Sequence, residues 1–242
     1  MRRLSDKVNN IFTEKKIFSA GTPLHNISRL AIGSVISQVI LTGSTPILTR
    51  LFSPESFGIA SLISAVYGLL IPLITLKYDQ AILTPKQPHK AKLLGSMVIV
   101  IATINCLIVG FVVVLYTFYF RSQFRLCWLL LPFYLWIGAG YSLIQQWCAR
   151  LNCYKYFSRG MIISALFNVT ICLGSVLIFP DKPFFLVLGL TGGMAVAFAY
   201  NIYGFKEWPY RTRKLNLQKI FTLMKEYISF PVLFLPSVLI SV

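Results

Sequence analysis

The chain has 242 residues, of which 56% are hydrophobic, and carries a formal net charge of +16. A soluble domain of this length is built with about 45–50% apolar residues, and the excess here is concentrated in long continuous runs. These runs do not alternate, which excludes an outer-membrane β-barrel. Only a helix satisfies its own backbone amides in lipid over such a run. The predicted fold class is therefore an all-α integral membrane protein.

Six membrane spans are predicted in chain order, and a seventh begins near Ile228 and is cut short at Val242. We expect a basic cytoplasmic juxtamembrane arm before them, a six-span lobe, and a basic cytoplasmic linker before the seventh span. A fragment, a truncated gene product or an engineered piece would each give this ending. The arm covers 1–27, the lobe 28–204, the linker 205–227 and the truncated span 228–242, and the six complete spans are 29–48, 57–76, 94–119, 127–147, 161–179 and 184–204.

The basic residues are sorted between alternate connections. Nineteen of the 23 Lys and Arg lie on the N-terminal arm and the even-numbered connections, and only Arg50, Arg121, Arg125 and Lys182 lie on the odd ones. Short loops keep Lys and Arg on the cytoplasmic side, so the N-terminus is predicted to be cytoplasmic, most naturally in a bacterial inner membrane. The same charge attracts anionic phospholipids. Its spread over short connections does not favour nucleic acid.

Polar and small residues recur at helical spacing in four of the spans, which places each set on one helix face. Close helix packing and a polar interior explain the Ser, Thr and Gly positions equally well. The amides Gln38, Gln145 and Asn168 should face protein or water, because an amide in lipid is costly. The four stripes are Ser34, Gln38, Thr42, Thr45 and Thr49; Ser61, Ser64, Gly68, Pro72, Thr75 and Asp79; Tyr134, Gly138, Ser142 and Gln145; and Ser164, Asn168, Cys172 and Ser175.

Charged residues near the span ends are the other candidates. Arg50 and Arg150 either reach toward the headgroups or point inward and hold an anionic group of the substrate. Asp79 is the only acidic residue next to a polar stripe, so it is the candidate for a coupling ion, although a gate contact beside Lys77 is an alternative. The sequence has no catalytic triad, phosphate loop or metal-spaced ligand cluster. We therefore predict no catalytic residue, metal or cofactor.

Several segments together resemble bacterial polysaccharide-export flippases of the Wzx type, within the multidrug, oligosaccharidyl-lipid and polysaccharide exporter superfamily. The resemblance covers the chain from about residue 28, and its first two segments are fairly specific together. The segments are Leu48-Thr-Arg-Leu-Phe-Ser-Pro-Glu-Ser-Phe-Gly58, Lys77-Tyr-Asp-Gln-Ala-Ile82, Gln145-Gln-Trp-Cys-Ala-Arg-Leu-Asn-Cys-Tyr-Lys-Tyr-Phe-Ser-Arg159 and Glu226-Tyr-Ile-Ser-Phe-Pro231.

The resemblance implies a transporter rather than an enzyme, with two six-helix lobes around a central cavity. Such proteins flip polyprenyl-diphosphate-linked oligosaccharide to the periplasmic leaflet for O-antigen (lipopolysaccharide), capsule or exopolysaccharide synthesis. Arg50 and Arg150 would then be cavity or gate residues. The implied partners are the lipid-linked oligosaccharide, a C-terminal lobe that this chain lacks, and polysaccharide polymerase and chain-length machinery. One lobe alone is expected to be inactive.

Other functions stay open at this point. A small-cation or multidrug exporter of the same superfamily would need an anionic cavity to bind its cationic substrate, and only Asp79 could contribute to such a cavity. A membrane-integral glycan polymerase or ligase tends to carry large periplasmic loops, whereas the odd connections here are short. A non-transporting structural partner is a further alternative.

Overall fold

The computed structural model describes residues 23–119, 125–152, 154–176, 182–204 and 223–241. Within these ranges the secondary structure is helical, which confirms the predicted fold class. Six of the helices, all but α3 and α8, are long and apolar enough to cross a membrane. The expected basic arm as far as residue 22 and the linker over 205–222 lie outside the described residues. The helices are α1 (Pro23–Leu51), α2 (Pro54–Thr75), α3 (Tyr78–Ala81), α4 (Pro88–Tyr119), α5 (Arg125–Leu151), α6 (Tyr154–Val176), α7 (Pro183–Gly204) and α8 (Ser229–Ser241).

Several helices extend beyond the predicted spans. The third span was predicted to begin at residue 94, but α4 begins at Pro88, and the fifth was predicted to begin at residue 161, but α6 begins at Tyr154. Hydropathy marks the part of a helix that lies in hydrocarbon, whereas the backbone hydrogen bonds continue into the headgroup region. Lysines such as Lys90 and Lys155, both exposed, occupy these extensions, where long basic side chains reach water.

The connection between α1 and α2 is a tight turn built by its sequence. Ser53 caps α2, because its side-chain oxygen accepts a hydrogen bond from the Ser56 backbone N–H at 3.3 Å. Pro54 occupies the first helical position, where its missing N–H has no cost. The rings of Phe52 and Phe57 meet edge to face across the turn, 6.4 Å apart, which is the hydrophobic staple that fixes the entry angle of a helix.

Small residues set how closely the later helices pack. At Gly193 of α7, an added Cβ would lie 2.5 Å from the backbone oxygen of Ser164 and 3.2 Å from atoms of Asn168, both on α6. At Gly189 it would lie 2.8 Å from Oδ1 of Asn168. The polar stripe of α6 therefore faces the backbone of α7, as in other membrane helix pairs with small residues at the contact.

Replacing Gly193 by Ala should destabilise the protein. Overpacking typically costs about 1–3 kcal/mol, and backbone atoms at 2.5 Å cannot move aside as a flexible side chain can. Thermal unfolding of the purified protein in detergent measures the effect. The matched control is Gly174→Ala on α6, where an added Cβ meets nothing within 4 Å. Equal melting temperatures for the two variants would contradict the close α6–α7 contact.

Candidate functional site

The chain leaves α2 through an unusual turn. Leu76 and Lys77 both adopt the left-handed conformation, with φ of 48° and 56°, which costs roughly 1–2 kcal/mol per non-glycine residue. The Lys77 N–H donates to the Thr75 side-chain oxygen at 3.3 Å. The turn directs the four residues of α3 back into the bundle, where Tyr78 and Asp79 are each only 3% exposed. Tertiary contacts of α3 must therefore offset the strain of the turn.

Asp79 is held from one side only. The Ser142 hydroxyl of α5 donates to Asp79 Oδ2 at 2.5 Å. The other carboxylate oxygen, Oδ1, is buried and accepts no hydrogen bond from any residue that the structure describes. Within the same ranges Asp79 forms no salt bridge and is the only buried acidic side chain. A buried carboxylate oxygen is costly unless it is paired, so Oδ1 is the open acceptor of this site.

Tyr78 links α3 to the segment that leads into α8. Its hydroxyl donates to the Met224 carbonyl at 3.2 Å, and burial raises the pKa of Tyr78. Leu223 and Tyr227 are buried in the same apolar cluster as Tyr78. The Lys90–Glu226 ion pair nearby is exposed on both sides, and such surface pairs contribute little. Apolar contact therefore holds this segment against α3.

Arg150 closes the loop that follows α3. Its guanidinium Nη1 donates to the Ile82 carbonyl at 2.7 Å and Nη2 donates to the Pro85 carbonyl at 2.5 Å. Both carbonyls lie beyond the end of α3, where no helix supplies a donor. The rigid fork of an arginine suits two such acceptors at once.

The two predicted arginines lie at opposite ends of the bundle. Arg50 is exposed at the end of α1, next to the start of α2. Arg150 contacts residues just beyond the end of α2. Because α2 has 22 residues, about 33 Å separate its ends at about 1.5 Å per residue. One diphosphate group cannot contact both arginines at once.

The three predicted amides have different surroundings. Asn168 lies at the α6–α7 contact, where its Oδ1 accepts a hydrogen bond from Cys172 Sγ at 3.4 Å. Gln145 is exposed on α5, and Gln38 is exposed on α1. The structure does not bring the three together: the two glutamines are exposed, whereas Asn168 is half-buried at a helix contact.

The stripe of α5 is mainly a packing contact. The Tyr134 ring stacks on the Tyr67 ring of α2, with centroids 4.0 Å apart. Gly138 lies against the same Tyr67 ring, where a Cβ would have no room. Further along, Ser142 bonds Asp79, and only Gln145 at the end of the stripe is exposed.

The stripe of α1 is the one that stays open. Its buried side is formed by Gly33, Ser37, Ser44 and Leu48. The exposed surface divides into an aliphatic sector, with Ile32, Val35, Val39 and Ile47, and a polar sector with Gln38, Thr42, Thr45 and Thr49. We call this second sector the polar face of α1. A span that exposes lipid-compatible and polar sectors side by side suits the border of a water-filled space.

A model of the family described as "Polysaccharide biosynthesis protein" matches residues 24–241. The chain belongs to this family. It is the family of Wzx-type flippases and related exporters, so the resemblance noted in the sequence is confirmed. Its members are mostly transporters, and with the six apolar helices this indicates a multi-pass membrane protein of polysaccharide biosynthesis. Neither a curated protein nor a solved structure matches the chain.

In this family member, the segments that carry the resemblance lie at helix ends and at the connections between helices, not in the middle of the spans. Ser53 and Pro54 start α2, and the segment from Lys77 to Ile82 forms the turn and α3. Sequence reasoning singled out Asp79 but missed Tyr78 and treated Ser142 only as part of a stripe. The available signal was that a Tyr-Asp pair directly follows a polar stripe.

Replacing Arg150 by Lys should loosen the loop after α3. A lysine is a point donor and cannot reach both carbonyls as a fork does, so one hydrogen bond to a charged group is lost, worth about 1.5–3 kcal/mol. Thermal unfolding and amide hydrogen exchange of the peptide covering residues 82–87 measure the change. The control is Arg50→Lys at an exposed position, which should alter stability by less than about 0.5 kcal/mol. Equal amide exchange rates for residues 82–87 in the two variants would contradict the clamp, by which we mean the two hydrogen bonds from Arg150 to the loop carbonyls.

Proposed function

We propose that this protein flips polyprenyl-diphosphate-linked oligosaccharide from the cytoplasmic to the periplasmic leaflet of a bacterial inner membrane, with its N-terminus in the cytoplasm. Membership of the polysaccharide biosynthesis family supports this. So does the sorting of basic residues between alternate connections. The observation that carries the proposal is the polar face of α1. The protein acts as a transporter and not as an enzyme.

The polar face suits a sugar cargo. Thr45 and Thr49 bond carbonyls of their own helix, at 2.9 and 3.1 Å. Gln38 and Thr42 are exposed and make no hydrogen bond with the residues that the structure describes. Their amide and hydroxyl groups are matched to sugar hydroxyls, and in contact with lipid tails they would be unsatisfied. We therefore expect a second lobe to face this side and enclose a wet cavity.

The separation of the arginines implies an ordered passage. Arg150 lies at the end of the bundle that carries the basic connections, which the proposed orientation makes cytoplasmic. Arg50 lies at the periplasmic end. The diphosphate thus meets the two ends in sequence, while the polar face of α1, about 17 Å long at about 1.5 Å per residue, covers the part of the path next to Arg50. Alternating access by rocking of two lobes is the movement that such a path requires.

Gln38→Leu should impair translocation without unfolding the protein. Loss of one neutral hydrogen bond to the cargo would slow flipping about fivefold. The measurement is the amount of lipid-linked oligosaccharide in the periplasmic leaflet of native-host cells whose only copy is the variant in its full-length gene. Val35→Leu, on the aliphatic sector of α1, is the matched control and should behave as wild type.

A double variant that combines Gln38→Leu with Arg50→Gln and still flips at the wild-type rate would overturn the proposed cargo path. Deletion that causes sensitivity to cytotoxic cations, with no loss of surface glycan, would instead favour the cation-exporter alternative.

Asp79 is the proposed coupling residue, which binds a proton or a sodium ion at Oδ1. Asp79→Asn keeps the shape and can still accept from Ser142, but it cannot exchange charge. Flipping should fall by roughly 5–150-fold, the range of typical coupling free energies, while the melting temperature changes little. Ser142→Ala keeps the carboxylate and should retain flipping. Normal gradient-dependent transport by Asp79→Asn would remove Asp79 from the coupling step.

A further inference from the structure

A basic pocket of about 490 Å³ lies between the loop after α3, the start of α4 and the end of α5. Three of its lining residues are basic, and none of the residues that line it is acidic. Its volume falls in the range of small-ligand sites, about 300–1,000 Å³. The lining is Leu83, Thr84, Pro85, Lys86, Pro88, Lys92, Trp147, Arg150 and Leu151.

The positive charge of this basic pocket is not neutralised by the described residues. Neither Lys86 nor Lys92 forms an ion pair with any of them. Arg150 donates to the carbonyls of Ile82 and Pro85, which orients the guanidinium without cancelling its charge. The loop clamp therefore also fixes one cation at the wall of the pocket.

The start of a long helix also favours an anion. The pocket includes Pro88 at the start of α4, a helix of 32 residues with no acidic residue in its first turn. The N-terminus of a long helix carries partial positive charge and attracts phosphate.

We infer that the basic pocket binds the phosphate of a lipid headgroup. Lys86, Lys92 and Arg150 supply the charge, and the Trp147 ring forms part of the wall. Leu83, Pro85 and Leu151 form the apolar wall on which the uncharged part of the lipid rests. An anionic phospholipid and the diphosphate of a polyprenyl lipid share this chemistry. The inference adds a headgroup site to the proposed flippase and concerns equilibrium binding, so it does not depend on transport.

The test is lipid binding by the purified full chain in zwitterionic nanodiscs at moderate salt. Phosphatidylglycerol and a polyprenyl diphosphate are titrated separately, with phosphatidylcholine as the uncharged reference. Lys86→Gln/Lys92→Gln should weaken binding about 25-fold, since each Lys near anionic headgroups contributes about fivefold. The control Lys155→Gln/Arg159→Gln removes two exposed charges from the same end of the bundle, outside the pocket. It should change binding by less than about twofold once salt screens surface charge.

The lipid that loses affinity in the pocket variant, and not in the control, identifies the source of the phosphate. Equal losses in both double variants, for both lipids, would overturn the inference and leave only general surface attraction. Failure of flipping in cells leaves these binding results unaffected, so the two proposals fail separately.

Discussion

A backbone carbonyl that is shielded from water inside a membrane protein needs a hydrogen-bond donor from the protein itself. This requirement is hardest to meet where α2 ends. The helix stops in two left-handed residues, so its last carbonyls lose their usual i+4 donors, and among the described residues only Leu73 keeps a backbone bond there, from the Leu76 N–H at 3.3 Å. The Asn105 amide of α4 donates to the carbonyls of Leu73 and Ile74, at 3.5 and 3.0 Å. Beyond α3, Arg150 donates to two more carbonyls. Side chains from α4 and α5 thus replace the hydrogen bonds that the helix gives up.

The buried α3 turn depends on this replacement, and the candidate site depends on the turn. Only because α3 folds inward does Asp79 reach Ser142, and only because Tyr78 is buried does its hydroxyl reach Met224. The same clamp places a guanidinium beside Lys86 and Lys92. The proposed coupling residue Asp79, the contact to the segment before α8 and the basic pocket are therefore joined through a few residues of chain. Movement of that segment relative to the bundle would act directly on the Asp79 turn.

The polar stripes illustrate how far periodicity can be interpreted. All four have the spacing of one helix face, yet two are mostly used in packing. Tyr134 and Gly138 accommodate Tyr67, and Asn168 faces the glycines of α7. Only the α1 stripe remains open along its length, because α1 buries its other small residues, such as Gly33 and Ser37, against the bundle. Spacing shows that residues share a face, but the neighbouring helix decides whether that face is covered.

The sequence by itself determined the helical membrane fold, the six spans and the family, because continuous apolar runs and turn motifs such as Ser53-Pro54 are local properties. It also suggested Asp79 as a candidate through its position next to a stripe, and that role stays a prediction. Tertiary structure decided what these residues contact. It placed Arg50 and Arg150 at opposite ends of the bundle, directed Arg150 to two loop carbonyls, and left Gln38 exposed while packing Asn168 against α7. Those outcomes depend on which helices become neighbours and how closely glycine allows them to approach, which spacing along one helix does not specify.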